Sequence, residues 1–152
     1  MGQQGAHSLA SRPINWGILG TGAIAHRFAG DFIHSSGGRL LAIGSRHHEK
    51  AQAFGNRFGI PHRHGSYREL IDDADVQAVY IATPASIHKG NIEQCLHAGK
   101  AVLCEKPLTV NARDAADVIA LARRNHVFLM EAMWTRFLPA VVKLRELLMQ
   151  RV

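Results

Sequence analysis

The sequence predicts an α/β fold with a doubly wound, mostly parallel sheet that is covered by helices on both faces. Three observations favour this class. Short apolar runs of strand length alternate with longer segments in which apolar residues recur every three or four positions. Glycine, proline or capping residues separate most of these segments. The length of 152 residues is enough for one such domain, and a composition of 47% hydrophobic and 20% charged residues is that of a globular protein with a buried core.

Strand and helix alternate through the first half of the chain. Apolar runs predict strands over residues 14–19, 39–44 and 76–82. Helical periodicity predicts helices over residues 23–33 and 48–58, and Gly59 has the position of a C-terminal cap for the second of them. Ser66 and Glu69 have the spacing of a capping box, which predicts a short helix beginning there.

The second half continues the alternation. A helix is predicted over residues 86–98, a strand over 101–104, a helix capped by Asn111, and a strand over 127–130. A final helix is predicted from near Pro139 to the end of the chain. Its apolar residues form a wide stripe that should pack back on the sheet or pair with another chain, so a homo-oligomer through this helix is one prediction. The stripe consists of Leu138, Val141, Val142, Leu144, Leu147 and Leu148.

The first strand leads directly into a glycine-rich turn. Residues 20–25 read Gly-Thr-Gly-Ala-Ile-Ala, which matches G-x-G-x-x-A between a predicted strand and a predicted helix. In a Rossmann-type fold Gly20 permits the tight turn, Gly22 lets a pyrophosphate approach the backbone, and Ala25 allows close packing of helix on strand. The helix N-terminus then offers free N–H groups to the phosphates. The turn therefore predicts dinucleotide binding.

The end of the second strand predicts which dinucleotide binds. NAD sites usually have an acid there that bonds the ribose 2′-hydroxyl. This strand continues as Ser45-Arg46-His47-His48, and the first acid is Glu49. Ser45 can hydrogen-bond a 2′-phosphate and Arg46 can pair with it or stack on adenine. We therefore expect NADP rather than NAD.

A bend follows the predicted strand 101–104. Glu105 and Lys106 precede Pro107, which cannot donate to a sheet ladder and disfavours a helical conformation for Lys106. In open α/β sheets, ligands bind at the carboxyl ends of the strands. A lysine there can take part in proton transfer, or it can be an ordinary surface residue.

Composition narrows the possible partners. The net charge of +6 and the pI of about 9.9 fit an anionic partner, and scattered basic residues favour a phosphate-bearing small molecule over nucleic acid.

No apolar stretch reaches the length of a membrane span. Cys95 and Cys104 predict no disulfide framework, which favours a reducing, cytoplasmic location. The histidine clusters 47–48 and 62–64 lack a Cys or carboxylate at zinc-site spacing, so no metal site is predicted.

These motifs together resemble the Gfo/Idh/MocA oxidoreductases, in particular the dimeric dihydrodiol dehydrogenase branch. The resemblance rests on residues 20–25, 83–88, 99–100, 104–108 and 131–139, in that order. It implies a dinucleotide-binding Rossmann domain over residues 14–133 and a connecting helix over 134–152. It also implies a C-terminal substrate domain, which is absent from this chain. The N-terminal residues, rich in Gly, Gln, Ser and His, predict a flexible tail over residues 1–13.

The resemblance implies a role for each motif. Lys106 matches the catalytic lysine that contacts the reacting oxygen, and Glu105 the position near the nicotinamide ribose. Thr83, Pro84 and His88 match the loop along the cofactor. The residues expected to contact the cofactor are Gly20, Thr21, Gly22, Ala23, Ile24, Ser45, Arg46, Thr83, Pro84, His88, Glu105, Lys106, Trp134 and Arg136.

Two functions follow from this resemblance. The chain is either the cofactor-binding part of an NADP-dependent enzyme that acts on a sugar, polyol or trans-dihydrodiol, or a non-catalytic nucleotide-binding or interaction module. In both cases the chain alone should bind cofactor with little or no turnover, since one domain leaves the nicotinamide open to water.

Overall fold

A computed structural model describes residues 13–150 of the chain. Within these described residues, six strands form one sheet in the order β3-β2-β1-β4-β5-β6, and all five pairings are parallel. The strands are β1 Ile14–Leu19, β2 Gly38–Gly44, β3 His62–His64, β4 Ala78–Ile81, β5 Ala101–Cys104 and β6 Leu129–Glu131. The order reverses between β1 and β4, which is the switch point where parallel sheets bind ligands.

Between residues 13 and 150, six α-helices connect or follow the strands. They are α1 Ala23–Phe32, α2 His48–Phe58, α3 Tyr67–Asp72, α4 His88–His97, α5 Ala112–Arg124 and α6 Pro139–Met149. Helices α1 and α2 pack on one face of the sheet, where Ile18, Phe54 and Tyr80 belong to one buried cluster. Helices α3, α4 and α5 pack on the other face, around a second cluster that includes Leu70 and Ile92. The prediction of a doubly wound, mostly parallel sheet is confirmed.

Three predicted helix ends have the expected chemistry. Gly59 ends α2 with φ 67°, a left-handed conformation that favours glycine. The Ser66 hydroxyl accepts the Glu69 N–H at 3.1 Å, and the Glu69 carboxylate accepts the Gly65 N–H at 3.0 Å. The Asn111 side chain accepts the Asp114 N–H at 2.9 Å. These caps are read correctly from sequence because each depends on residues at most four positions apart.

Other boundaries differ from the sequence-based prediction. Strand β3 is not predicted, since His-Arg-His lacks apolar residues and lies at the edge of the sheet. The predicted helix over residues 86–98 begins with a 3-10 turn, Ala85–Ile87, before α4. A second 3-10 turn, Trp134–Phe137, precedes α6. Strand β4 is shorter than predicted at both ends, and strand β6 begins two residues later than predicted.

Helix α6 does not pack back on the sheet. Its closest element is the 3-10 turn Trp134–Phe137, and none of its residues is buried. Leu144 and Leu148 are more than half exposed. The prediction that the apolar stripe packs back on the sheet is therefore wrong. The other alternative, pairing of α6 with another chain, stays a prediction.

Two further expectations concern the ends of the chain and membranes. Within residues 13–150, no helix is long and apolar enough to cross a membrane. The predicted N-terminal tail, apart from Pro13, and the last two residues of the predicted final helix lie outside the described residues.

Candidate cofactor and active site

Gly20 makes the turn between β1 and α1. Its φ of 101° is disfavoured for residues with a side chain, and its N–H donates to the Gly44 carbonyl at 2.9 Å. A Cβ at this position would lie 2.7 Å from the carbonyl oxygen of Ala82. Only glycine therefore fits between the ends of β1 and β4, and this close approach brings the turn beside the loop that begins at Thr83.

Gly22 leaves open space at the N-terminus of α1. It is the N-cap residue, no side chain caps the helix, and the first turn contains no acidic residue. A Cβ on Gly22 would meet no atom within 4 Å, and Gly22, Ala23 and Ile24 are all exposed. Thr21, between the two glycines, is half-buried. An uncapped helix N-terminus with open space before it fits the pyrophosphate of a dinucleotide.

Ser45 and Arg46 follow the end of β2. Ser45 is buried, and its hydroxyl oxygen accepts the His47 N–H at 3.2 Å. The Arg46 side chain is exposed and has no hydrogen bond or ion pair within the described part of the chain. The nearby Glu49 carboxylate lies 3.8 Å from His47 Nδ1 on the exposed surface. A free guanidinium and a hydroxyl therefore stand at the end of β2, with no carboxylate on the strand end itself.

The loop after β4 is held from within. Thr83 is buried, and its hydroxyl oxygen accepts a hydrogen bond from the Asn91 side chain at 3.0 Å. His88 is 1% exposed. Its Nε2 lies 2.8 Å from the Thr83 carbonyl oxygen and its Nδ1 lies 2.8 Å from the Pro107 carbonyl oxygen. His88 thus joins the loop after β4 to the bend after β5, and Pro84 occupies the turn between Thr83 and the 3-10 turn.

The bend after β5 exposes Lys106 and fixes Glu105. The Lys106–Pro107 peptide is cis, and no described residue hydrogen-bonds the Lys106 ammonium. One Glu105 carboxylate oxygen accepts the Tyr80 O–H at 2.5 Å, and the other accepts the Lys106 N–H at 3.2 Å. Burial and the neighbouring Glu105 carboxylate raise the pKa of Tyr80 above its ordinary value, so the phenol remains a donor.

An apolar cavity of about 320 Å³ lies beside the bend. Tyr80, Glu105 and Trp134 line it, and 62% of the Trp134 surface is exposed. Ile24, at the start of α1, is a further lining residue. Arg136 is exposed in the same 3-10 turn as Trp134 but does not line the cavity.

The predicted residues therefore fall into two groups. The glycine turn, Ser45–Arg46, the loop after β4 and the bend after β5 all follow the carboxyl ends of parallel strands and lie at one edge of the sheet. Trp134 and Arg136 stand on the turn after β6. Arg46, Lys106, Trp134 and Arg136 are exposed, whereas Ser45, Thr83 and His88 are buried and their side chains contact protein groups.

Three residues of this region were not identified from the sequence. Tyr80 holds Glu105, Asn91 holds Thr83, and the Glu131 carboxylate accepts the Leu108 N–H at 2.7 Å just after the bend. Their partners lie 8 to 25 positions away in sequence. No local pattern marks such contacts, although a tyrosine within an otherwise aliphatic β4 is a residue that requires a hydrogen-bonding partner when buried.

Comparison with known proteins agrees with this geometry. Residues 14–133 match the model of the GFO_IDH_MocA family, described as an oxidoreductase family with an NAD-binding Rossmann fold. The chain is 45% identical over 139 residues to trans-1,2-dihydrobenzene-1,2-diol dehydrogenase of Mus musculus, and 42% identical over 139 residues to the Homo sapiens protein of the same name. These matches cover 90% of this chain and 42% of each relative.

A solved structure has the same fold. KijD10, a 3-ketoreductase from Actinomadura kijaniata in complex with TDP-benzene and NADP, superposes with a TM-score of 0.85 at 34% identity. The match covers 91% of this chain and 44% of that one. The chain therefore spans less than half the length of the relatives it matches.

Proposed function

The chain belongs to the GFO_IDH_MocA oxidoreductase family, and we propose that it is the NADP-binding part of an enzyme that transfers hydride at a carbinol carbon. The substrate class is a sugar, a polyol or a trans-dihydrodiol. The open, uncapped helix start at Gly22 carries the proposal, because it leaves N–H groups and space for a pyrophosphate at the switch point of the sheet.

The preference for NADP rests on the end of β2. Arg46 has a free guanidinium and Ser45 a hydroxyl, and both can bond a 2′-phosphate. An acid at the strand end would instead accept from a ribose 2′-hydroxyl and repel a phosphate. NAD can bind the same glycine turn but gains nothing from Arg46, so we expect it to bind more weakly.

Lys106 is the catalytic residue of the proposal. The nicotinamide, when bound, gives or takes the hydride. The exposed Lys106 ammonium would donate a hydrogen bond or a proton to the reacting oxygen of the substrate. Glu105 is fixed by Tyr80 at the position proposed for the nicotinamide ribose, so the bend holds a donor and an acceptor at successive positions.

The remaining residues position or border the cofactor. Thr83 and Pro84 would line its path with main-chain atoms, since the Thr83 side chain is taken by Asn91. His88 would act indirectly, by fixing the loop after β4 to the bend that carries Lys106. Trp134 and Arg136 would border the nicotinamide and the active-site entrance. Their exposure leaves both free to contact a ligand.

For the 152-residue chain alone we propose cofactor binding with little turnover. Hydride transfer needs a substrate held in a site that excludes water, and both Lys106 and Trp134 are exposed. The same observation favours a second candidate function, that of a nucleotide-binding or interaction module, for which the apolar stripe of α6 would supply a homo-oligomer contact. Two buried free thiols, Cys95 and Cys104, support our proposal of a reducing, cytoplasmic location.

The proposal is tested by calorimetric titration of the chain with NADP⁺ and NAD⁺. Removing the guanidinium in Arg46→Ala should weaken NADP⁺ binding by about 10- to 150-fold, the value of one charge-assisted hydrogen bond, and change NAD⁺ binding little. Arg124→Ala removes the same charge from an exposed site on α5 and is the matched control. Equal affinity for the two cofactors, or equal effects of both variants, would contradict the assignment.

A further inference from the structure

Three potential metal ligands meet at the outer edge of the sheet. His62 Nδ1 lies 2.7 Å from Asp73 Oδ2, and His64 Nε2 lies 3.0 Å from the same oxygen. All three ligand atoms lie within 4.8 Å of one another. The Asp73 side chain is 9% exposed and the imidazoles of His62 and His64 are 35% and 21% exposed. The cluster is therefore partly buried and open on one side.

The fold brings these residues together for simple reasons. His62 and His64 are two positions apart on β3, and alternate residues of a strand lie on the same side. Arg63, between them, turns instead to α2 and donates to the Asn56 side chain at 2.7 Å. Asp73 is the C-terminal cap of α3, which starts after β3 and returns to it. Nine positions separate His64 from Asp73, so the sequence alone shows no ligand spacing.

The Asp73 carboxylate is held in place before any ion binds. Its other oxygen accepts the Asp75 N–H at 3.0 Å. The Asp73 carbonyl accepts the ammonium of the buried Lys100 at 2.6 Å, and the same ammonium donates to Val76 at 2.7 Å. These bonds fix both the backbone and one carboxylate oxygen, and leave Oδ2 to the two imidazoles. Such outer contacts orient the ligands of established metal sites.

We propose that His62, His64 and Asp73 bind one Zn²⁺ ion, with water as the fourth ligand. Two imidazoles and a carboxylate suit zinc, whereas Mg²⁺ and Ca²⁺ prefer oxygen ligands alone. Ligand atoms of a tetrahedral site with bonds of about 2.0–2.1 Å lie about 3.3 Å apart. The His62–Asp73 and His64–Asp73 atom pairs, now 2.7 and 3.0 Å apart, need to separate by about 0.6 and 0.3 Å. The two imidazole nitrogens already lie within 4.8 Å of each other. Each imidazole then carries its proton on the ring nitrogen that does not bind the ion.

The ion would have a structural role. Strand β3 is four strands from β5 in the sheet, roughly 19 Å at the usual strand spacing, which is too far to reach a substrate at Lys106. It lies closer to the other end of the proposed cofactor site, because the His64 carbonyl accepts the Ser45 N–H at 3.2 Å. Zinc would tie the short edge strand to the turn after α3 and so stabilise the strand end that precedes Ser45.

The proposal is tested by calorimetric titration of the untagged chain with Zn²⁺, with Mg²⁺ as the comparison ion. We expect one Zn²⁺ per chain, at least 30-fold weaker binding in His62→Gln and in His64→Gln, and no comparable Mg²⁺ binding. His47→Gln is the matched control, since His47 is another histidine that lies beside a carboxylate, at 3.8 Å from Glu49. This variant should bind Zn²⁺ as the unchanged chain does.

Two results would overturn the proposal. One is a chain that binds Zn²⁺ no better than Mg²⁺, which would leave the cluster as hydrogen bonds only. The other is Zn²⁺ affinity that His62→Gln and His64→Gln do not change. Circular dichroism of each variant checks that the fold is retained, and the visible spectrum of the chain with Co²⁺ gives a second readout, since the tetrahedral bands should be present in His47→Gln and absent in His64→Gln.

Discussion

Replacing Gly22 with alanine should weaken NADP⁺ binding and leave the fold intact. The backbone of Gly22 has φ −77° and ψ 178°, which alanine adopts without strain, and a Cβ there meets no atom within 4 Å. Alanine is a poorer N-cap residue than glycine, so we expect a loss of stability of at most about 1 kcal/mol. The new methyl group would stand where the pyrophosphate is proposed to lie.

The expected loss of affinity follows from the contacts that the methyl group would displace. A hydrogen bond from a backbone N–H to a charged phosphate contributes about 1.5–3 kcal/mol. Loss of one such bond weakens binding by about 10- to 150-fold. Calorimetric titration with NADP⁺ measures this change, and urea unfolding followed by circular dichroism measures the stability.

Two other glycines provide controls. Gly30 is in the interior of α1, and a Cβ there also meets nothing within 4 Å. Gly30→Ala should therefore raise stability by about 0.5–1 kcal/mol and leave NADP⁺ binding unchanged. Gly20→Ala should lower the stability of the fold, because φ at Gly20 is 101° and the new Cβ would lie 2.7 Å from the Ala82 carbonyl oxygen. If Gly22→Ala binds NADP⁺ within twofold of the unchanged chain, the pyrophosphate does not lie at this helix start.

Three more predictions concern Tyr80, the two cysteines and Lys106. Tyr80→Phe removes the O–H that donates to Glu105 and should lower the free energy of unfolding by about 1.5–3 kcal/mol in urea titrations. Burial raises the pKa of Cys95 and of Cys104 to about 12, so neither thiol should react with Ellman's reagent at pH 8 until urea unfolds the chain. Lys106→Ala should change the free energy of unfolding by less than about 0.5 kcal/mol and NADP⁺ affinity by less than about threefold. The reason is that Lys106 is exposed and is proposed to contact the substrate. Fast labelling of a thiol in the folded chain, or a large loss of NADP⁺ affinity in Lys106→Ala, would contradict the corresponding argument.

The parts of the fold predicted correctly are those that depend on local sequence. The glycine turn, the caps at Ser66 and Asn111 and the apolar strand β5 are each defined within a few residues. The sequence does not predict strand β3, because the strand is stabilised by pairing with β2 and by contacts to α2 and α3, which its own polar residues do not reveal. The prediction that α6 packs back on the sheet is wrong, because an apolar stripe indicates that a helix will be covered but does not identify what covers it.

The site shows the same limit. The sequence indicates which strand ends should carry ligand-binding residues, because parallel strands place their carboxyl ends at one edge. It does not indicate that His88 would be buried between the Thr83 and Pro107 carbonyls, because those atoms meet only once the loop and the bend are folded. The contact of Tyr80 with Glu105 has the same origin, since it depends on the pairing of β4 with β5.

Amide chemical shifts test most directly whether a dinucleotide binds along the carboxyl edge of the sheet. In ¹⁵N-labelled chain titrated with NADP⁺, we expect the largest amide shifts at residues 20–25, 45–46, 83 and 105–106. With NAD⁺ the shifts at Ser45 and Arg46 should be smaller than with NADP⁺. An absence of shifts, or shifts confined to surfaces away from this edge such as the exposed side of α5, would contradict the account.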